Sequence, residues 1–178
     1  MTDEVAWLVL VYKVPVEPAR LRATVWRRLK ALGAVYLQDG VATLPASAPA
    51  ERALRGLQRE IVGFGGVGYL VGREIVAGQL EVTGTYNRAR DEEYIEIVER
   101  CNDFEAEIAK EIAAEHLTYA ELEENDEDLT KLKNWLAKVQ ARDSLGATEG
   151  PNAAAAVARC DTALEGFAAK VYEAEGSR

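Results

Sequence analysis

Residues 7–45, WLVLVYKVPVEPARLRATVWRRLKALGAVYLQDGVATLP, decide the fold. Trp7 to Val14 is an unbroken β-branched and aromatic run halted by Pro15, the pattern of a buried central strand. Pro18 is expected just inside a helix start. Leu21, Val25, Leu29 and Leu32 then recur at three and four residues until Gly33 supplies the stop, which predicts an amphipathic helix over 18–32. Ala34 to Leu37 and Val41 to Leu44 flank the pair Asp39-Gly40, the strongest short-range signal for a hairpin.

Downstream of the hairpin, Pro49 opens a second helical pattern in which Ala53, Leu54, Leu57, Ile61 and Val62 share a face, ending at Gly63 and the Gly65-Gly66 pair. A fourth strand is expected from about Val67 to Val71. The order β-α-β-β-α-β predicts an α+β, ferredoxin-like domain over 1–78: an antiparallel four-stranded sheet with both helices on one face. Beyond it, Gln79 to Thr83 reads as a short strand. Three apolar seams follow, Tyr94-Ile97-Cys101-Phe104-Ile108-Ile112, Leu129-Leu132-Leu136-Val139 and Val157-Cys160-Leu164-Phe167-Val171. They predict helices at roughly 90–115, 127–142 and 153–173, packed as a bundle or hairpin over 79–178, with Leu132, Leu136, Leu164 and Phe167 buried. Gly, Pro, Asn and Ser cluster in 144–152 and mark a linker.

The chain has 178 residues, 48% of them apolar and 29% charged, with a net charge of -9. That composition excludes disordered, collagenous and disulfide-scaffold classes. No apolar run reaches the roughly 18 residues of a membrane span, and Met1 to Glu4 is acidic where a signal peptide begins basic, so a cytoplasmic protein is expected. Residues 1–78 hold 10 basic and 7 acidic side chains, whereas 79–178 hold 11 and 23. The first region therefore suits a polyanion, and the second repels one.

Few residues carry obvious chemistry. The acidic run Glu121, Glu123, Glu124, Asp126, Glu127, Asp128 has the oxygen ligands a divalent cation needs but lacks EF-hand spacing; Asp126 to Asp128 are better read as a solvated N-terminal cap for a helix starting at 129. His116, the single histidine, is expected to serve the end of a long helix rather than catalysis. Cys101 and Cys160 occupy apolar seam positions and read as buried small hydrophobes without a metal spacing. Gly63, Gly65, Gly66 and Gly68 fit no phosphate loop and read as a helix stop and turn. No catalytic residue, cofactor or metal is expected. The first helix is more informative: Arg20, Arg27, Arg28 and Lys30, following Lys13, offer a face for nucleic acid or another anion opposite Leu21, Val25 and Leu29. The bland alternative is a solvated face paired to acidic helices.

The block at 7–45, with ARDEEYIEIVERC (89–101) and YAELEENDEDLTKLKNWLAKVQARDSLGA (119–147), resembles the N-terminal domain of the ChrB family of chromate-resistance regulatory proteins. The resemblance spans nearly the whole chain and implies a role in a chromate-responsive bacterial locus, regulating resistance genes that include an exporter. Full-length members carry a further C-terminal chromate-resistance domain, which these residues do not match. The first segment is also similar to the ferredoxin-like middle domain of the phenylacetate repressor and to the small CRISPR-associated nuclease subunit. Those nuclease-like chains place a metal-binding Asp at the end of the first strand, where this sequence has Tyr12, Lys13 and Val14, so a metal-dependent nuclease is not expected. The expectation is a non-enzymatic regulator or interaction module. Its expected partners are promoter DNA through residues 1–78, a separate protein carrying the absent C-terminal domain, or a second copy in a homodimer, with no membrane. The alternative is an oxyanion-binding protein or enzyme acting on chromate or phosphate through the arginines of the first helix.

Overall fold

The computed structural model describes residues 5–176, so the acidic opening Met1 to Glu4 lies outside them. The elements are β1 (Trp7–Lys13), α1 (Arg20–Ala31), β2 (Val35–Gln38), β3 (Val41–Pro45), α2 (Ala48–Gly63), β4 (Val67–Arg73), α3 (Gln79–Ala113), α4 (Tyr119–Arg142) and α5 (Gly150–Gly176). They form two compact units, with the division between Ala89 and Arg90, inside α3.

In the first unit the strands order as β2-β3-β1-β4, with β1 antiparallel to both neighbours. This is the ferredoxin-like sheet. Pairing of Tyr12 with Gly68, Leu10 with Leu70 and Leu8 with Gly72 puts these residues on one face, because directly opposed residues share a side. A side chain on Gly68 would meet Gln58 and Ile61 of α2, so that is the helix-covered face. It buries Leu8 and Leu10 together with Val25 and Leu29 of α1 and Leu54, Leu57 and Ile61 of α2. On the other face Trp7 is fully buried against Tyr86, the rings meeting edge-on at 5.9 Å.

Local chemistry fixes the joints. Both α1 and α2 end in a left-handed glycine with paired closing hydrogen bonds: Gly33 N–H to Lys30 and Ala34 N–H to Leu29, then Gly65 N–H to Val62 and Gly66 N–H to Ile61. The α2 start is capped by Ser47, whose hydroxyl accepts from Ala50 N–H, with Pro49 in the first turn. The hairpin turns on Asp39-Gly40, and a register shift between Tyr36 and Gln38 marks a bulge in β2.

Four local expectations need correction. Pro18 lies before the helix, which starts at Arg20. Val62 is 51% exposed because its position lies at the margin of the α2 apolar stripe centred on Leu54, Leu57 and Ile61. Gln79 to Thr83 is the first turn of α3, not a strand; Leu80 and Val82 alternate like strand residues, yet Leu80 is solvated while Val82 and Tyr86, one turn apart, are buried. Asp126 to Asp128 lie inside α4 rather than before it, since Thr118 caps the helix by accepting from Glu121 N–H. Acidic residues on exposed positions of a helix face solvent at little cost, so the run does not end the helix.

In the second unit the three seams are inside as the periodicity predicts. Tyr94, Ile97, Cys101, Phe104 and Ile108 of α3 form one cluster with Leu129, Leu132, Leu136 and Val139 of α4 and Val157, Cys160, Leu164, Phe167 and Val171 of α5. Polar bonds close one end. Arg142 donates to both carboxylate oxygens of Glu93, at 2.7 and 3.2 Å, and Arg90 pairs with the same carboxylate at 3.0 Å. Asp143 accepts from the Tyr94 hydroxyl and from Gly146 and Ala147 N–H, while Asp91 accepts from Glu149 N–H. His116 follows α3 and contacts the buried Glu111 carboxylate through Nδ1 at 2.9 Å.

The two thiols lie side by side, Cys160 Sγ donating to the Cys101 carbonyl at 3.5 Å, and both are fully buried. Burial raises both above the ordinary thiol range, Cys160 to about 12. Neither should react with a thiol reagent at pH 8 until the chain unfolds. A thiol near 8.5 in the unfolded chain and about 12 in the folded one contributes stability that is complete below pH 8.5 and lost as pH rises toward 12. The urea midpoint should therefore fall between pH 8.5 and 10.5; an equal fall in Cys160→Ala would remove the thiol as its cause.

Candidate functional site

α1 is unusual among these helices in having no acidic residue anywhere along RLRATVWRRLKA. Its N-cap position is Ala19, which makes no side-chain cap, so Arg20 and Arg22 sit at the positive end of the helix dipole without a compensating carboxylate. Such an arrangement costs stability locally and projects a positive field from the end of the sheet unit.

The five cations expected to act together are divided by the helix geometry. Arg20 and Arg27 are seven residues apart and lie on the outer face, opposite buried Val25 and Leu29. Arg27 is steadied by its own helix, Nε reaching the Ala23 carbonyl at 3.4 Å and Nη2 the Thr24 hydroxyl at 3.5 Å. Arg28 turns toward α2 and is occupied by an ion pair with Glu60. Lys30 turns the opposite way, with Nζ 5.2 Å from the centre of the Trp26 ring. Lys13, the exposed last residue of β1, lines the cleft next to Tyr12. Thus Arg20 and Arg27 form one surface, Lys13 lines another while Lys30 reaches only its Trp26, and Arg28 is tied to a carboxylate.

The second surface is a cleft of about 720 Å³ that sequence reasoning missed. Its wall is Arg22 and Trp26 of α1, its floor Tyr12 and Tyr36, and its rim Lys13 and Asp39. The two phenols are joined at 2.9 Å between their oxygens, and burial together with this bond pushes the Tyr12 hydroxyl above the ordinary phenol range. It is a fixed hydrogen-bonding group at neutral pH. Gly40 closes the rim by approaching β1, its carbonyl accepting from Tyr12 N–H at 2.7 Å. Arg22, Trp26 and Lys30 recur at intervals of four; that stripe of cations around an aromatic was the available signal.

Among the described residues no three His, Cys, Asp or Glu side chains stand close enough to hold a metal ion. None of the helices is long and apolar enough to cross a membrane, over the same residues.

An antiparallel ferredoxin-like sheet bearing one helix whose charges are all basic, followed by an acidic three-helix unit, defines a two-unit α+β protein with a cationic face. The chain belongs to the family described as "Protein ChrB, N-terminal", whose model matches residues 22–178. It is 46% identical over 44 residues to Protein ChrB of Cupriavidus metallidurans, a stretch that covers 25% of this chain and 14% of that protein. No solved structure matches. The blocks quoted at 89–101 and 119–147 contain Arg90, Asp91, Glu93, Tyr94, Arg142 and Asp143, which close one end of the helical unit.

Proposed function

We propose that this protein is a non-enzymatic, cytoplasmic regulator of the bacterial chromate response that meets promoter DNA through α1. The supporting observation is that Arg20 and Arg27 stand on the outer face of a helix with no acidic residue, where neither has a carboxylate partner among the described residues. Phosphate contacts need cations that are not already neutralised within the protein. Arg28, paired with Glu60, contributes less than its sequence position suggests. The acidic remainder beyond residue 78 repels phosphates by its net charge, which favours contact through the basic residues before it.

The test is the salt dependence of binding to promoter DNA. Replacing Arg20 and Arg27 with Ala should weaken binding and lower the slope of log K against log salt by about 2, one for each lost phosphate contact. Arg28→Ala should change the slope by much less than 1. An unchanged slope in the double variant, or no duplex binding by the wild-type chain at low salt, overturns this reading. Chromate binding lost in the same variant without any DNA would instead support an oxyanion site.

A further inference from the structure

We infer that the cleft between α1 and the β2–β3 turn is a nucleotide site, in which an unpaired base stacks on Trp26 while Lys13 and Arg22 hold its phosphate. This deepens the nucleic-acid reading: Arg20 and Arg27 would track a backbone, and the cleft would take one nucleotide out of it. Trp26 is 49% exposed although a large aromatic side chain gains much from burial, and it stands in the cleft wall rather than alone on the surface. Stacking on an exposed indole suits every base, since each has a π face. Lys13 and Arg22 line the cleft and make no hydrogen bond or ion pair with another side chain among the described residues, so both are available to an anion. Lys30 Nζ stands over one face of the indole, 5.2 Å from its centroid, and adds a third positive charge, so a base would stack on the opposite face.

The chemistry is two-ended, which separates a nucleotide from a bare oxyanion. Asp39 lies on the rim, where its carboxylate repels an anion placed beside it but accepts from an exocyclic amine or ring N–H of a base. The Tyr12 and Tyr36 hydroxyls, linked to each other, keep capacity for one further partner on the floor. Cations, an aromatic platform and one carboxylate within about 720 Å³ match a phosphate, a base face and a base edge.

The ligand chemistry has two sources, a free mononucleotide or a nucleotide within a single strand, and the experiment separates them. Binding of adenosine and thymidine monophosphates, of a single strand of about 12 nucleotides, of the matching duplex and of inorganic phosphate would be followed by tryptophan fluorescence and by polarisation of labelled strands. The wild-type chain should show quenching with the nucleotide ligands and not with phosphate. Trp26→Ala should weaken single-strand or mononucleotide binding by about tenfold or more, while Trp26→Phe, which keeps a stacking ring, should restore most of it. Saturation by monophosphates as tight as by the strand assigns a free nucleotide; much tighter strand binding assigns the polymer. Unchanged affinity in Trp26→Ala, or phosphate binding as tight as that of the monophosphates, overturns the inference. Loss of duplex binding in Arg20→Ala/Arg27→Ala with Trp26 silent defeats this inference alone, whereas quenching by single strands without any duplex binding defeats only the promoter reading.

Discussion

Truncating Phe167 to alanine should lower the stability of the helical unit by about 3–5 kcal/mol, read as a shifted denaturant midpoint. The side chain is fully buried in α5 and belongs to the single apolar cluster uniting all three helices of that unit. Truncation removes the transfer free energy of the ring and leaves a cavity that rigid helices cannot fill by collapse. Leu136→Ala, at the edge of the same cluster, should lose about 2–3 kcal/mol. Tyr172, 61% exposed on the same helix and meeting the Tyr119 ring edge-on, is the contrast: its truncation should cost under about 1 kcal/mol. An unshifted midpoint in Phe167→Ala would show that the seam is not a core. A change in oligomeric state alone would assign the seam to a contact between copies.

The sheet unit was legible because its turn chemistry and its periodicity agree. Gly33 and Gly65 terminate helices at positive φ, Asp39-Gly40 turns the hairpin, and the strand runs between them have no competing reading. The first turn of α3 was not legible, because Leu80 and Val82 at a spacing of two imitate a strand. Only the burial of Val82 and of Tyr86, the latter against Trp7, reveals the helical period. The start of α4 was hidden by the acidic run, whose residues are mostly solvated and therefore carry no periodic signal; the helix is set by Thr118 and by the seam beyond.

The candidate site was legible in composition and not in arrangement. Charge counting found the cations of α1 but not what each of them meets. Glu60, on another helix, occupies Arg28, and Trp26 draws Lys30 away from the outer face. Tyr12 and Tyr36 meet only because β3 pairs with both β1 and β2, placing residues 24 apart in sequence at hydrogen-bonding distance. Helical spacing identifies the members of one wall of a cleft, while its floor depends on sheet register.

Gly40→Ala should therefore be among the most damaging single-methyl changes in the sheet unit, and it bears directly on that floor. Gly40 has φ of +73°, where a Cβ costs about 1–2 kcal/mol. A Cβ there would also lie 2.4 Å from the Tyr12 carbonyl oxygen, a backbone atom held in the sheet that has no rotamer by which to yield. Overpacking adds about 1–3 kcal/mol, so the total loss should be about 2–5 kcal/mol. Gly65→Ala supplies the control: its φ is +80° but nothing lies within 4 Å of the added methyl, so only the conformational part, about 1–2 kcal/mol, should appear. The difference between the two denaturant midpoints isolates the steric contact with β1. Equal losses would show that the β2–β3 turn moves freely away from Tyr12. In that event the phenol pair beneath Trp26 would have no rigid support, and the cleft could not hold the preorganised shape that selective binding requires.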